Sequence, residues 1–177
     1  MIDPLRLETG LESVFGDGRQ SAELFAGGRW QREPRHWSQM REYFTGHPAS
    51  GDPLIYETFM WPAGRGATDM LLVFTALHPG QIGAEHHHTK GHFHDRPDGP
   101  EFVICYAGKG TLETAPRGGR VRSTAMAGGV HARVPDGHAH RMINTGVDAL
   151  IFLSICSAGV GHDYQSVAEF RWRRRGV

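Results

Sequence analysis

Cysteine is scarce in this chain: there are two among 177 residues. Cys105 and Cys156 both lie inside apolar runs, FVICYA and LIFLSICSA. A disulfide-stapled secreted domain carries several paired cysteines, so these two are expected to be reduced and buried. Long hydrophobic runs are missing too. The longest apolar stretch, residues 149–155, is far too short to span a bilayer, and MIDPLRLETG has no apolar core of signal-peptide type. A soluble, cytoplasmic protein is the expectation. Excess charge of either sign is also absent. Lysine plus arginine and aspartate plus glutamate number 19 each, so nothing draws the chain toward nucleic acid or an anionic membrane. The basic run RWRRRG at 171–176 reads as a solvated terminus.

Long helical periodicity is absent as well, and glycine with proline takes its place. The 24 glycines and 10 prolines fall mostly at turns, which excludes a helical bundle. Between them run short segments rich in β-branched and aromatic residues: LIYETFMW, MLLVFTALH, FVICYA, TLETA, VRSTAMA, HARVP, RMIN and ALIFLSIC. Such punctuation predicts an antiparallel sandwich or barrel. The length suits one domain, with residues 51–177 as the barrel. Residues 1–50 differ in texture and read as a mixed extension that packs on the barrel or on a partner subunit. Within it SQMREYF at 38–44 predicts one short helix, with Ser38 as N-cap and Met40, Tyr43 and Phe44 on its apolar side.

Histidine is the residue in excess, twelve in all. In Gly91-His92-Phe93-His94 the two histidines alternate around Phe93, so on a strand both face the same way. Six residues later Glu101 opens the next strand, and strands lie ~4.8 Å apart, which brings its carboxylate within reach of both imidazoles. His140 follows the turn Pro135-Asp136-Gly137 and can return from a distant strand to close the set. An isolated H-x-H pair on a strand is common surface decoration; Glu101 and His140 are what make this a candidate site for one divalent metal. Three imidazoles and a carboxylate suit Fe²⁺, Mn²⁺, Ni²⁺ or Zn²⁺ better than Ca²⁺ or Cu⁺, and iron is favoured. Four ligands leave two positions open for a substrate. His86-His87-His88 reads as a polar loop. His138 reads as a residue lining the pocket, and His36, His47, His78 and His131 as structural or exposed.

The spacing G-H-x-H, six residues, E, 38 residues, H resembles the metal signature of the cupins. Within them, Thr89-Lys90-Gly91-His92-Phe93-His94 with Glu101, Ala139-His140-Arg141, Gly161-His162-Asp163-Tyr164 and Ala168-Glu169 resemble the cupin-type glucose-6-phosphate isomerases over roughly residues 50–170. That resemblance implies an all-β cupin double-stranded β-helix, or jelly-roll barrel. The implied reaction is interconversion of glucose 6-phosphate and fructose 6-phosphate, and the implied assembly is a homodimer.

The same resemblance gives Thr75, Thr89 and Gly91 to the phosphate, with Lys90 nearby, and makes Tyr56, His162 and Tyr164 pocket residues. His162 or Tyr164 would assist ring opening. Glu101 is either the base that moves a proton between C2 and C1 through a cis-enediol, or only a ligand beside a hydride shift. Two positions depart from the family pattern: Cys156, where a tyrosine is more usual, and His138, where a large aromatic is. Two rival readings are a cupin metal-dependent dioxygenase and a non-catalytic sugar-binding cupin. The first needs no Thr-Lys-Gly lead-in, and the second would tolerate loss of Glu101.

Overall fold

The computed structural model describes residues 31–61, 69–95 and 100–166. The N-terminal thirty residues, Ala168-Glu169, most of the turn before Glu101 and the 171–176 tail lie outside the described residues.

Among the described residues there are thirteen strands: β1 Gln31–His36, β2 Leu54–Trp61, β3 Met70–Leu77, β4 Gln81–Ile82, β5 Glu85–His86, β6 Phe93–His94, β7 Glu101–Ala107, β8 Lys109–Pro116, β9 Arg122–Ala127, β10 His131–Val134, β11 His138–Asn144, β12 Leu150–Ser157 and β13 His162–Asp163. Six of them form one antiparallel sheet in the order β1-β2-β3-β12-β7-β10. A second layer has the order β11-β8-β9, and the bridges His88↔Ile143 and His92↔His140 dock the lead-in to β6 on the free side of β11. The chain crosses between the layers repeatedly: β7 to β8, β9 to β10, β10 to β11, β11 to β12. This is the antiparallel barrel that the short punctuated strands predicted, in the jelly-roll form that the resemblance implied.

The core lies between the layers. Tyr56, Leu77, Val103, Cys105, Leu150 and Phe152 of the large sheet pack with Leu112, Met126 and Met142 of the small one. Both cysteines are free and buried, as expected. Alternation along paired strands sends Thr58, Thr75 and Glu101 inward while Phe59, Phe74 and Leu153 face out. The β7–β8 turn requires glycine at 108, where φ is 81° and a Cβ would stand 2.4 Å from the Ala149 carbonyl oxygen.

Two features differ from the sequence reading. The predicted helix is a pair of 3-10 turns, Trp37–Gln39 and Arg41–Tyr43. Ser38 does not cap it: its N–H and hydroxyl donate to the two Asp52 carboxylate oxygens at 2.7 and 2.8 Å, fastening the turn to the chain entering β2. The apolar side is as predicted, with Met40 and Phe44 buried and Tyr43 packed against them.

The second difference is β1, which pairs with β2 along its whole length. QREPRH has no apolar alternation and contains Pro34, a residue that only an edge strand tolerates. Its anchor is electrostatic. Glu57 of β2 is fully buried, Arg32 of β1 donates to it from Nε at 2.7 Å and from Nη2, and His78 Nε2 stands 3.4 Å away. A buried carboxylate without such partners costs several kcal/mol, on the order of 3–5, so β1 is what permits Glu57 there.

Candidate functional site

Each site residue is placed by a backbone contact. His92 and His140 exchange hydrogen bonds, His92 N–H to His140 O at 3.3 Å and His140 N–H to His92 O at 3.1 Å. His94 ends the two-residue β6, and Glu101 opens β7 on its inner side. The four side chains converge as the sequence predicted: one donor atom from each of His92, His94, Glu101 and His140 lies within 4.8 Å of the others. Glu101 Oε2 faces His94 Nε2 at 3.2 Å and His140 Nε2 at 3.1 Å.

The electrostatics of this cluster suit a cation. Burial alone would raise the Glu101 carboxyl, but the charge of His140 and hydrogen bonds from His140 and His94 outweigh it, holding the group well below the usual carboxylate range. Burial, then the neighbouring His140 and His162, push His92 well below the ordinary imidazole value. Its Nε2 is buried without a hydrogen-bond partner. A neutral imidazole with an unpartnered ring nitrogen beside an ionised carboxylate suits metal binding. Among the described residues, these four are the group of His, Cys, Asp and Glu that can hold a metal.

One side of the cluster is lined by β13 and the residue after it. The His162 ring stands 4.4 Å from that of His92, and Tyr164 lies 5.6 Å from His92 and stacks on His162 at 21°. Desolvation by the groups packed beside it, then the charge of His94, lower the pKa of the otherwise exposed His162, which favours its neutral form at pH 7.

Beyond Tyr164, Lys90 Nζ lies 5.7 Å from that ring and 5.3 Å from the Tyr43 ring. Tyr56 is buried, and its phenol oxygen accepts the Lys90 backbone N–H. Arg35 of β1 pairs with Glu33 at 2.7 Å and acts electrostatically on Tyr56, Tyr164 and Lys90. Arg35 was not singled out in the sequence, and Tyr43 was read only as part of an apolar helix side; no local signal in QREPRH or SQMREYF places either beside the site.

The remaining predicted residues are placed as follows. Thr75 is buried on the inner face of β3, across from Thr58 and Phe152. Thr89 bonds twice to β11: its N–H donates to the Met142 carbonyl at 2.9 Å, and its hydroxyl oxygen accepts the Met142 N–H at 3.0 Å. The hydroxyl proton remains to donate elsewhere. Gly91 is buried between Lys90 and His92.

Cys156 faces inward, and the β12–β7 register carried on by one residue puts it opposite Glu101. Burial and the Glu101 charge push its thiol up to about 12, so it stays protonated and outside the donor set. His138 Nδ1 lies 3.0 Å from the Asp136 carbonyl oxygen.

The triple histidine departs from a polar loop, because two of its rings are buried. His87 sits over Gly80, where a Cβ would come within 2.6 Å of the ring. His88 packs on Phe44 at 4.2 Å and bonds through Nδ1 to the Thr89 carbonyl at 2.9 Å, leaving Nε2 unpaired. Burial first, then Arg141, lower its pKa to about 4.

The sign of the resulting pH effect follows. The unfolded ring takes a proton below about 6.5 and the folded ring only below about 4. Stability is therefore unaffected above that window, falls with pH inside it, and loses about 3 kcal/mol across it. Replacing His88 with Phe should flatten the slope there by up to about 1.4 kcal/mol per pH unit. Urea melts from pH 7 to 4 read this directly, and an unchanged slope refutes the assignment.

No helix among the described residues is long and apolar enough to cross a membrane. Compared with known proteins, residues 63–175 match the family model described as glucose-6-phosphate isomerase (GPI). The glucose-6-phosphate isomerase of Thermococcus litoralis is 35% identical over 78% of this chain and 76% of its own length. That of Pyrococcus horikoshii is 36% identical over 76% and 75%. Among solved structures, a cupin-2 domain protein from Rhodospirillum rubrum covers 60% of this chain and 62% of its own, at 18% identity and a TM-score of 0.46. By that family model and its Thermococcus and Pyrococcus relatives, the chain belongs to the cupin-type glucose-6-phosphate isomerase family.

Proposed function

We propose that this protein is a metal-dependent aldose–ketose isomerase that interconverts glucose 6-phosphate and fructose 6-phosphate. The observation that carries the reading is the cage of His92, His94, Glu101 and His140, with an ionised carboxylate and an unsatisfied imidazole nitrogen already aimed together. His92, His94, Glu101 and His140 would hold one divalent ion, Fe²⁺ first, with Mn²⁺, Ni²⁺ or Zn²⁺ as alternatives. When bound, such an ion stabilises negative charge developing on the O1 and O2 oxygens of the sugar.

The chain's own groups do the rest. Glu101 stands beside the reacting carbons and carries the proton between C2 and C1 on one face of a cis-enediol. The depressed pKa of Glu101 limits its strength as a base, so one oxygen must come off its imidazole partners as the substrate enters. His162, neutral and beside the cage, takes and returns the proton that ring opening moves between O1 and O5, with Tyr164 stacked on it. At the far end Lys90 supplies positive charge for the phosphate. The Thr89 hydroxyl proton, Thr75 and the Gly91 backbone offer uncharged donors there, and Tyr56 fixes the Lys90 backbone. The active form is a homodimer in this reading.

The test is a coupled sugar-phosphate assay on protein loaded in turn with each of the four metals. Fructose 6-phosphate is expected from glucose 6-phosphate, and chelation should abolish it. No turnover with any of the four metals refutes the isomerase reading.

A further inference from the structure

The segment that carries His162 and Tyr164 has little backbone to hold it. β13 is two residues long and, among the described residues, pairs only with the equally short β6, His162 opposite His94 and Asp163 opposite Phe93. One flanking hydrogen bond, Asp95 N–H to Gly161 O at 3.0 Å, extends that ladder. Alternation turns Asp163 to the side opposite His162 and Tyr164. On that outer side Asp163 uses both carboxylate oxygens: Oδ1 accepts the Ser166 N–H at 2.9 Å, and Oδ2 accepts from Arg117 Nη2 at 3.0 Å. These partners hold its carboxyl down to about 2.

Arg117 reaches over from the turn after β8, and its guanidinium lies 4.2 Å from the centroid of the Phe93 ring. Phe93 is the buried residue between the ligands His92 and His94. A single guanidinium thus touches the residue between two cage histidines and the residue between His162 and Tyr164.

We propose that Arg117, acting through Asp163 and Phe93, is a positioning residue that fixes His162 and Tyr164 against the His92/His94 side of the cage. It touches no reacting atom. Its contacts lie outside the barrel while their consequence lies inside. An isolated exposed ion pair contributes little. Here the same group also stacks on an aromatic ring, which adds to it, and the strand it secures has few other bonds to lose.

The inference rests on the isomerase reading for its kinetic consequence but not for its structural one, and the test separates the two. In the full-length protein, Arg117→Met keeps bulk over Phe93 and removes the charge. In metal-loaded protein it should lower kcat for glucose 6-phosphate about fivefold with KM changed less than twofold and metal content unchanged. Arg117→Lys should recover at least half of the loss. Asp163→Asn combined with Arg117→Met should be no worse than the more damaging of the two alone, because Asn keeps an oxygen for the Ser166 N–H and loses only the Arg117 contact that Arg117→Met already removes.

Amide hydrogen exchange at Asp95, measured in chelated protein without substrate, should quicken about fivefold in Arg117→Met. If the wild-type protein does not isomerise, the isomerase reading falls and this exchange rate still decides the anchor. Unchanged exchange, unchanged kcat in an active enzyme, a loss that tracks metal content, or additive losses in the double variant would each overturn it.

Discussion

Glu101→Gln is expected to cut the turnover of glucose 6-phosphate at least about a hundredfold per metal-loaded site, the lower end of what general acid–base catalysis contributes. The substitution keeps the side chain's shape and one oxygen donor, so the barrel should fold. What it removes is the charge that both His94 and His140 face at 3.2 and 3.1 Å, and with it the only carboxylate in the cage. Metal affinity will fall too, so the rate must be referred to metal actually bound. The companion measurement uses substrate deuterated at C2: wash-out of label into solvent marks abstraction by a base, and full retention marks a direct hydride shift. A near-normal rate in Glu101→Gln with retained label would leave Glu101 as a ligand alone.

Metal removal is the second large effect. A ligand at a thousand times its dissociation constant stabilises the folded state by about 4 kcal/mol. For a chain of this size that shifts the melting midpoint by about 8–16 °C. Saturating metal should therefore raise the midpoint of the chelated protein by that amount. His140→Ala should abolish the rise, since it deletes one donor and the partner that most strongly holds Glu101 ionised. The same variant should also melt lower without metal, because Glu101 remains buried with His94 as its sole partner among the cage's hydrogen bonds. Breaking a buried pair costs on the order of 3–5 kcal/mol. A full metal-induced rise in His140→Ala would remove His140 from the cage.

The sequence made the central strands legible because their cores obey simple patterns. LIYETFMW is β2 to the residue, and ALIFLSIC differs from β12 by one residue at each end. Where chemistry occupies a strand, the pattern fades. β11 begins at His138 rather than Arg141, since His-Ala-His shows no β-branched run. β6 is two residues long because its neighbours are candidate metal donors and turn residues rather than packing ones.

The approach of His92, His94 and Glu101 was readable from spacing, because alternation along a strand and the distance between strands leave little freedom; for His140 spacing said only that a distant strand could bring it back. The surrounding parts were not. Arg35, Tyr43 and Arg117 arrive from an edge strand, a 3-10 turn and a hairpin loop, and only the closed barrel brings them near Tyr164, Lys90 and Asp163. Buried His87 and His88 were also illegible: a run of three histidines carries no periodicity to say which rings turn inward.

The reciprocal hydrogen bonds between His92 and His140 have a further consequence for supply. Two donors from strands remote in sequence are set at a fixed separation by peptide groups, so an arriving cation finds the cage assembled and demands no chain ordering. Donors held at a set separation adapt little to an ion's preferred geometry, so the cage itself would act against the usual affinity order toward copper. For ions whose preferred geometry the cage fits equally well, occupancy would be set by free-metal concentrations during synthesis, and the same polypeptide made in different media would emerge as different metalloforms.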